Sequence, residues 1–291
     1  MVYICNMNYN KVTTRKYFLN EEYFKEINTY DKAYFLGLFY SDGNNYSPTG
    51  TASIGLQEED GYILELLSKY ISNFQIPIKL QKRDIGKNQR YIKICSRVLS
   101  TDLYRQGVVD RKSLILKFPT EKQVPKYLMH HFIRGYFDGD GCISLYTKKD
   151  YNRNPDAYFT LSGSNDFLKG CQKVFEEELS IKAGKLIKNK NIYNLTHGGN
   201  AICLKIRDFL YKDCEDLFLT RKKEKFDMVN IFIPKKVTEK CIFCNKIATA
   251  KDMCKKHYDA SRHYKTKKNM ELEEFKKFFK QKQIVDYINN K

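Results

Sequence analysis

Two dense apolar runs stand out along the chain, DKAYFLGLFYSDG from Asp31 and YLMHHFIRGYFDGDG near Tyr127; both lack proline and both end in Asp-Gly. Runs this apolar predict helices buried on most sides rather than amphipathic surface helices, each closed by a C-cap glycine, Gly43 or Gly141. After the first run, NNYSPTGTASIGLQ places turn residues Ser47, Pro48, Thr49 and Gly50 between two strand-like stretches, which predicts a hairpin. EEDGYILELLSKYISNF then repeats apolar residues at helical spacing, Ile63, Leu66, Leu67 and Tyr70. IKLQKRD and RYIKICS alternate on either side of IGKNQ as a second hairpin, and SRVLSTDLYRQG reads as a helix ending at Gly107.

The second half repeats this order. CISLYTKKDYNRNPDAYFTLSG reads as a long hairpin, SNDFLKGCQKVFEEEL as a helix capped by Ser164 or Asn165, KAGKLIKNKNIYNLTHGG as a hairpin, and NAICLKIRDFLY as a helix starting at Asn200. The expected class is α+β, with two pseudo-twofold-related αββαββα halves that each hold one four-stranded antiparallel sheet. The expected domains are an N-terminal extension (1–30, with a short helix around NEEYFKEI), a first half (31–124), a second half (125–235) and a C-terminal module (236–291).

Charge narrows the partner. Lys plus Arg outnumber Asp plus Glu 52 to 34, a formal charge of +18, and 22 Tyr and 19 Phe are interleaved with those charges. Such a surface attracts a polyanion, so nucleic acid is the leading partner class ahead of a merely soluble basic protein. In the strands, Lys79, Gln81, Arg83 and Tyr91, Lys93, Cys95 fall on alternate positions, so one sheet face would point outward as a solvated surface or a basic DNA platform. No apolar run approaches the roughly 20 residues that span a bilayer, and the N-terminus has no secretory h-region, so an intracellular protein without membrane contact is expected. Of nine cysteines, Cys5, Cys95, Cys142, Cys171 and Cys203 lie scattered among apolar neighbours, which suits reduced thiols.

The candidate chemistry sits at the ends of the two apolar runs. Small residues recur four apart, Gly37 with Ser41 and Gly135 with Gly139, which leaves one side of each helix nearly bare. Asp42 and Asp140 occupy the last turns, where helix dipole and unpaired carbonyls disfavour an anion. A lone Asp-Gly is an ordinary solvated helix end. Two of them, at the same place in two repeats of a basic chain, favour a joint site in which divalent metal offsets their repulsion, as phosphodiester hydrolysis requires.

Residues 35–43, FLGLFYSDG, and 133–141, IRGYFDGDG, resemble the two copies of the LAGLIDADG motif, and the element order that follows resembles that family's half. The similarity covers roughly residues 30–235. It implies a single-chain, monomeric homing endonuclease of a mobile genetic element, whose two sheets form a saddle on double-stranded DNA. It also implies that the penultimate motif acids, Asp42 and Asp140, hold Mg2+. The motif glycines Gly37, Gly43, Gly135 and Gly141 match; the sixth position departs, with Asp138 in one copy and Tyr40 in the other, which puts local capping or packing in doubt. Arg111-Lys112 and Arg221-Lys222 echo each other after the last helix of each half, and similar enzymes often carry a basic residue there. Lys112 and Lys222 are therefore candidates to polarise water or stabilise the phosphorane, with simple phosphate anchoring as the alternative. Gln57 is a weaker candidate to orient water or read a base. A non-cleaving nucleic-acid-binding protein on the same scaffold, an intron maturase or a DNA-binding regulator, is the competing function.

Past residue 235, Cys241, Cys244, Cys254 and His257 follow the spacing C-x2-C, nine residues, C-x2-H, which suits a closed structural Zn2+ site; His263 is a poorer fifth candidate. The basic residues Arg262, Lys265, Lys267 and Lys268 follow, and MELEEFKKFFKQKQIVDYINNK predicts an amphipathic helix packing Leu272, Phe275, Phe278 and Phe279 on the module.

Overall fold

The computed structural model describes residues 16–146, 155–230, 240–244 and 246–289, with side chains through residue 282. Cys5, the turn of the long second-half hairpin and the expected boundary at 235 lie outside the described residues. The described residues fall into two compact units, one running to Tyr146 and from Asp156 to Asn230, the other from residue 240 onward.

The first unit opens with helix α1 (Tyr30–Ser41), then β1 (Gly43–Tyr46), β2 (Thr51–Gln57), α2 (Tyr62–Ser72), β3 (Ile78–Gln81), β4 (Gln89–Cys95) and α3 (Arg97–Arg105). The second half repeats the series as α4 (Met129–Asp140), β5 (Gly141–Tyr146), β6 (Asp156–Gly163), α5 (Asn165–Leu179), β7 (Lys185–Asn189), β8 (Ile192–Gly198) and α6 (Asn200–Leu210). Both sheets are antiparallel with the same strand order, β1-β2-β4-β3 and β5-β6-β8-β7. Helices α1 and α4 are the shared spine. Tyr34, Phe35, Phe39, Phe132 and Phe137 on them are almost wholly removed from solvent, and each such side chain stabilises the fold by about 1.5–3 kcal/mol.

Strand register separates the two faces of each sheet. Ala52, Ile54, Leu56, Ile92 and Ile94 point into the core, whereas the outward rows are Tyr46–Thr51–Cys95, Asn44–Ser53–Lys93, Gly55–Tyr91–Lys79 and Gln57–Gln89–Gln81. On the second sheet the outward positions include Ser144, Tyr158, Thr160, Ser162, Asn194 and Thr196, with Lys185 and Asp156 as the charged ones. The face expected to be basic is thus mainly neutral and hydrogen-bonding. Arg83 falls in the connection after β3, and most of the +18 charge is carried off the strands.

Three local expectations are corrected. Residues 20–27 form turns rather than a short helix. Tyr23, Phe24 and Ile27 are buried there, the Tyr23 hydroxyl donates to Asp31, and the amide of Gln106 donates to the carbonyls of Phe24 and Lys25, so side chains satisfy polar groups that a helix would have paired. Gly141 is the C-cap of α4 as expected, in an extended conformation (φ −104°, ψ 161°), but the cap of α1 is Asp42, and both glycines begin strands. They are glycine because a Cβ would fall 2.4 Å from Phe39 Cδ1 or 2.2 Å from Phe137 Cδ2. The sequence around Lys222, read only as a basic segment, forms a further helix, α7 (Thr220–Asp227).

His130 and His131 lie buried at the start of α4, with rings 3.9 Å apart and with His130 Nε2 and His131 Nδ1 unpaired. Burial, reinforced by Arg134, pushes their pKa values down to about 4 and about 3. The unfolded chain takes up protons near pH 6.5 that the folded chain refuses, so this stability is intact above that pH and drains as pH falls through the window to about 4. His131→Phe is expected to recover about 2 kcal/mol near pH 5 and little at neutral pH, read from urea unfolding at the two pH values.

The second unit contains α8 (Lys255–Lys268) and α9 (Leu272–Asn289), preceded by tight turns closed by Cys241 N–H to Lys246 O and Thr249 N–H to Met253 O. Its buried apolar residues are few among those described: Cys241, Phe243, Ala248, Met253, Cys254 and Phe275, with Leu272 and Phe279 packed beside this cluster. Among the described residues no helix is long and apolar enough to cross a membrane.

Candidate active site

The spine helices meet backbone to backbone. A Cβ built on Gly37 would lie 2.0 Å from the Phe132 carbonyl oxygen, and one on Gly135 would lie 2.0 Å from that of Tyr34, so the contact is reciprocal between the halves. At the helix ends a Cβ on Gly139 would lie 2.0 Å from Ser41 Oγ and 2.7 Å from Asp42 Oδ2. The Asp42 carboxylate therefore rests on the backbone of the residue just before Asp140. No side chain larger than hydrogen at positions 37, 135 and 139 permits this approach.

Both acids are open to solvent yet crowded by protein around the helix ends. Loss of hydration, together with the charge of Asp140, pushes Asp42 up to about 6, against the pull of Lys222, Lys112 and Arg221. Asp140 is also raised by burial, against Lys112, Lys222 and the nearby Tyr136 hydroxyl. All four residues singled out in the sequence thus act on one another at one end of the spine.

The lysines do so from beneath. Lys112 Nζ, buried, donates to the carbonyls of Ser41 (2.9 Å) and Gly43 (2.6 Å). Lys222 Nζ, also buried, lies within reach of the carbonyls of Phe137 (2.7 Å), Asp138 (2.7 Å), Gly139 (3.3 Å) and Gly141 (2.7 Å). The Ser41, Asp138 and Gly139 carbonyls belong to last turns, where an α-helix leaves them unpaired, and those of Gly43 and Gly141 open the strands that follow; a cation there also opposes the negative end of the dipole. Each ammonium fastens the turn that carries its acid. Burial pushes Lys222 down to about 8 and lowers Lys112 as well. Lys222→Met should cost roughly 2–4 kcal/mol in urea unfolding, because it strands buried carbonyls, and Lys112→Met less, since two carbonyls depend on it.

The sixth motif position has a different function in each half. Asp138 is fully buried, accepts from the Tyr34 hydroxyl (2.8 Å) and the Leu219 amide (2.9 Å), and is pushed up to about 6 by burial. It ties the start of α7, and so Lys222, to α4. Tyr40 instead reaches the Gln106 carbonyl at 2.6 Å. Arg134, the largest wholly buried side chain, lies over the Tyr34 ring and donates to the carbonyls of Leu210 and Leu217.

Each lysine sits on a strap that crosses to the opposite half. Arg221 forms a two-pronged ion pair with the buried Asp60 before α2, at 2.8–3.1 Å, and Tyr62 of α2 bonds to Phe218 O and Thr220. In the other direction Ser164, which caps α5, donates to Leu116 O, and Phe118 packs on Phe167 of α5. Neither crossing was legible in the sequence, where Arg221 stood out only through the Arg-Lys echo of the two halves and Asp60 did not stand out. Gln57 ends β2 on the outward face, in a row with Gln89 and Gln81.

In the second unit the Sγ atoms of Cys241, Cys244 and Cys254 and a ring nitrogen of His257 converge within 4.8 Å of one another; His263 is outside this group and lies against Tyr264.

The LAGLIDADG-like domain family matches residues 128–208. No curated protein sequence matches the chain. Among solved structures, the chain is similar to the I-SmaMI LAGLIDADG homing endonuclease bound to cleaved DNA, at 14% identity over 70% of this chain and 88% of that one with a TM-score of 0.46. It is similar to the LAGLIDADG meganuclease I-CpaMI bound to uncleaved DNA, at 12% over 67% and 88% with a TM-score of 0.46. Full-length DUF199/WhiA from Thermatoga maritima is similar at 15% over 72% and 63%, with a TM-score of 0.44. Residues 128–208, which run from the start of α4 into α6, thus carry a LAGLIDADG-like domain.

Proposed function

We propose that the chain is a monomeric, site-specific double-stranded DNA endonuclease of the homing type, which hydrolyses one phosphodiester bond in each strand with Mg2+ held by Asp42 and Asp140. The observation that carries this reading is the placement of the Asp42 carboxylate on the Gly139 backbone, with Asp140 beside it and solvent in front. Two carboxylates with open space around them suit Mg2+, which takes one or two protein oxygens and keeps the rest of its shell for water and phosphate. Two anions that each resist losing their proton suit it as well, since a divalent cation removes the cause of that resistance. When bound, such an ion acidifies a water and offsets charge on the reacting phosphate.

The chain's own groups do the positioning. Asp42 and Asp140 supply the ligand oxygens, and Lys112 and Lys222 hold the two helix ends that present them. Because those ammoniums are engaged by carbonyls, the geometry favours this indirect task over direct contact with phosphate. The outward amides of Asn44, Gln57, Gln81 and Gln89 suit base edges in a major groove. The lysines and arginines off the strands suit the phosphates that fix orientation.

The test is incubation of a pool of random-sequence duplexes with the purified protein in Mg2+ or in EDTA. Recurrent double-strand breaks at one sequence, present with Mg2+ and absent with EDTA, are expected. Tight binding without breaks in either condition would overturn the enzyme reading in favour of a non-cutting maturase or DNA-binding regulator.

A further inference from the structure

We infer that Cys241, Cys244, Cys254 and the Nδ1 atom of His257 hold one structural Zn2+, and that residues 240–289 keep their fold only while that ion is bound. With Zn–S near 2.3 Å and Zn–N near 2.0–2.1 Å, a tetrahedral site has sulfur–sulfur edges of about 3.8 Å and sulfur–nitrogen edges of about 3.5 Å. The Cys244–Cys254 Sγ separation is 3.8 Å. The three thiol sulfurs lie 3.2, 3.7 and 3.4 Å from the same ring nitrogen, His257 Nδ1. Four of the six edges are thus close to those of a zinc-sized tetrahedron, and all four donors lie within 4.8 Å of one another.

The local chain explains how they get there. Cys254 is the N-cap of α8 and His257 lies in its first turn, so the pair at i and i+3 shares one face. Cys241 and Cys244 come from a tight turn in which the Cys244 amide donates to the Cys241 carbonyl and the Phe243 amide donates to Cys241 Sγ. A backbone N–H aimed at a sulfur favours its thiolate form, the form that binds metal. The His257 ring is held edge-on between Phe243 and Phe279, with centroids at 5.3 and 5.0 Å, which fixes Nδ1 toward the sulfurs.

Zinc rather than a hard cation fits a donor set of three sulfurs and one imidazole without a carboxylate oxygen. Four protein ligands close the coordination shell, which assigns the ion a structural and not a catalytic role. Dependence of the fold on the ion follows from the size of the core. Of the six buried apolar residues described in this unit, two are the ligands Cys241 and Cys254, which leaves Phe243, Ala248, Met253 and Phe275. Such a core does not offset the chain entropy of so many ordered residues without a staple.

The full-length protein, purified under reducing conditions without chelator, should contain about one zinc per chain by elemental analysis. Exchange with Co2+ should give the visible bands of a tetrahedral ion with thiolate charge transfer. Both signals should fall about tenfold in the C241S/C254S double variant. Absence of zinc and of the cobalt spectrum from the unmodified chain, or a spectrum that survives in the double variant, overturns the site. Limited proteolysis tests the folding claim on the unmodified chain: after chelation, cleavage should move into residues 240–289 while residues 16–230 stay resistant. Unchanged resistance of residues 240–289 after zinc has left overturns the metal dependence.

Discussion

Asp42→Asn or Asp140→Asn should lower double-strand cutting by at least about 10³-fold while leaving DNA binding intact or slightly tighter. Asparagine keeps the shape and one oxygen but not the charge that retains a divalent ion, and losing a negative charge at a DNA-facing point reduces repulsion of phosphate. Neither substitution removes a hydrogen bond that holds the spine, because the helix ends are fastened by Lys112 and Lys222 through backbone carbonyls. Circular dichroism and the urea midpoint should therefore stay near those of the unmodified protein, which separates loss of chemistry from loss of fold. Conversion of supercoiled plasmid to nicked circles by a single variant would mean that each acid serves its own strand; complete silence would mean that the two act as one site. Cutting retained in either variant would end the assignment of these acids.

Gly135→Ala should be the most disruptive of the small changes. The new methyl would lie 2.0 Å from the Tyr34 carbonyl oxygen and 3.0 Å from the Leu38 amide nitrogen, and neither is the free end of a side chain that could swing aside. The helices must separate along their whole contact, at a cost of about 3 kcal/mol or more. Gly37→Ala meets the Phe132 carbonyl in the same way and should cost a similar amount. Gly55→Ala is the control: its nearest neighbour is the Tyr91 Cβ at 3.5 Å, an ordinary contact on the outward sheet face, so stability should change by less than about 1 kcal/mol. Thermal and urea unfolding of the three variants decide the matter, and a Gly135→Ala protein as stable as the control would contradict the close approach.

The fold was legible because its signals are periodic. Alternation in IKLQKRD and RYIKICS predicts the β3–β4 hairpin, and the apolar density of residues 31–40 predicts a helix with no solvent face, which α1 is. The sites of greatest interest were less legible because they depend on contacts between residues distant in sequence. Lys222 stands out among 52 basic residues only by its echo of Lys112, and nothing local says that its ammonium ends on carbonyls more than 80 positions earlier. Arg134 drew no reading from the sequence, yet it is wholly buried, with the carbonyls of Leu210 and Leu217 receiving its guanidinium. Asp138 and Tyr40 share a motif position but were free to diverge, since one secures α7 and the other the turn after α3. The neutral character of the sheet faces emerged only with register, which shows which side chains line up across strands.

The crossed straps make the two halves hostages to each other. The lysine that steadies one acid rides on a segment moored to the opposite half, through Arg221 and Asp60 in one direction and Leu116 and Ser164 in the other. Loosening either mooring would slacken the lysine that rides on it, so the footing of each acid depends on the half opposite its own.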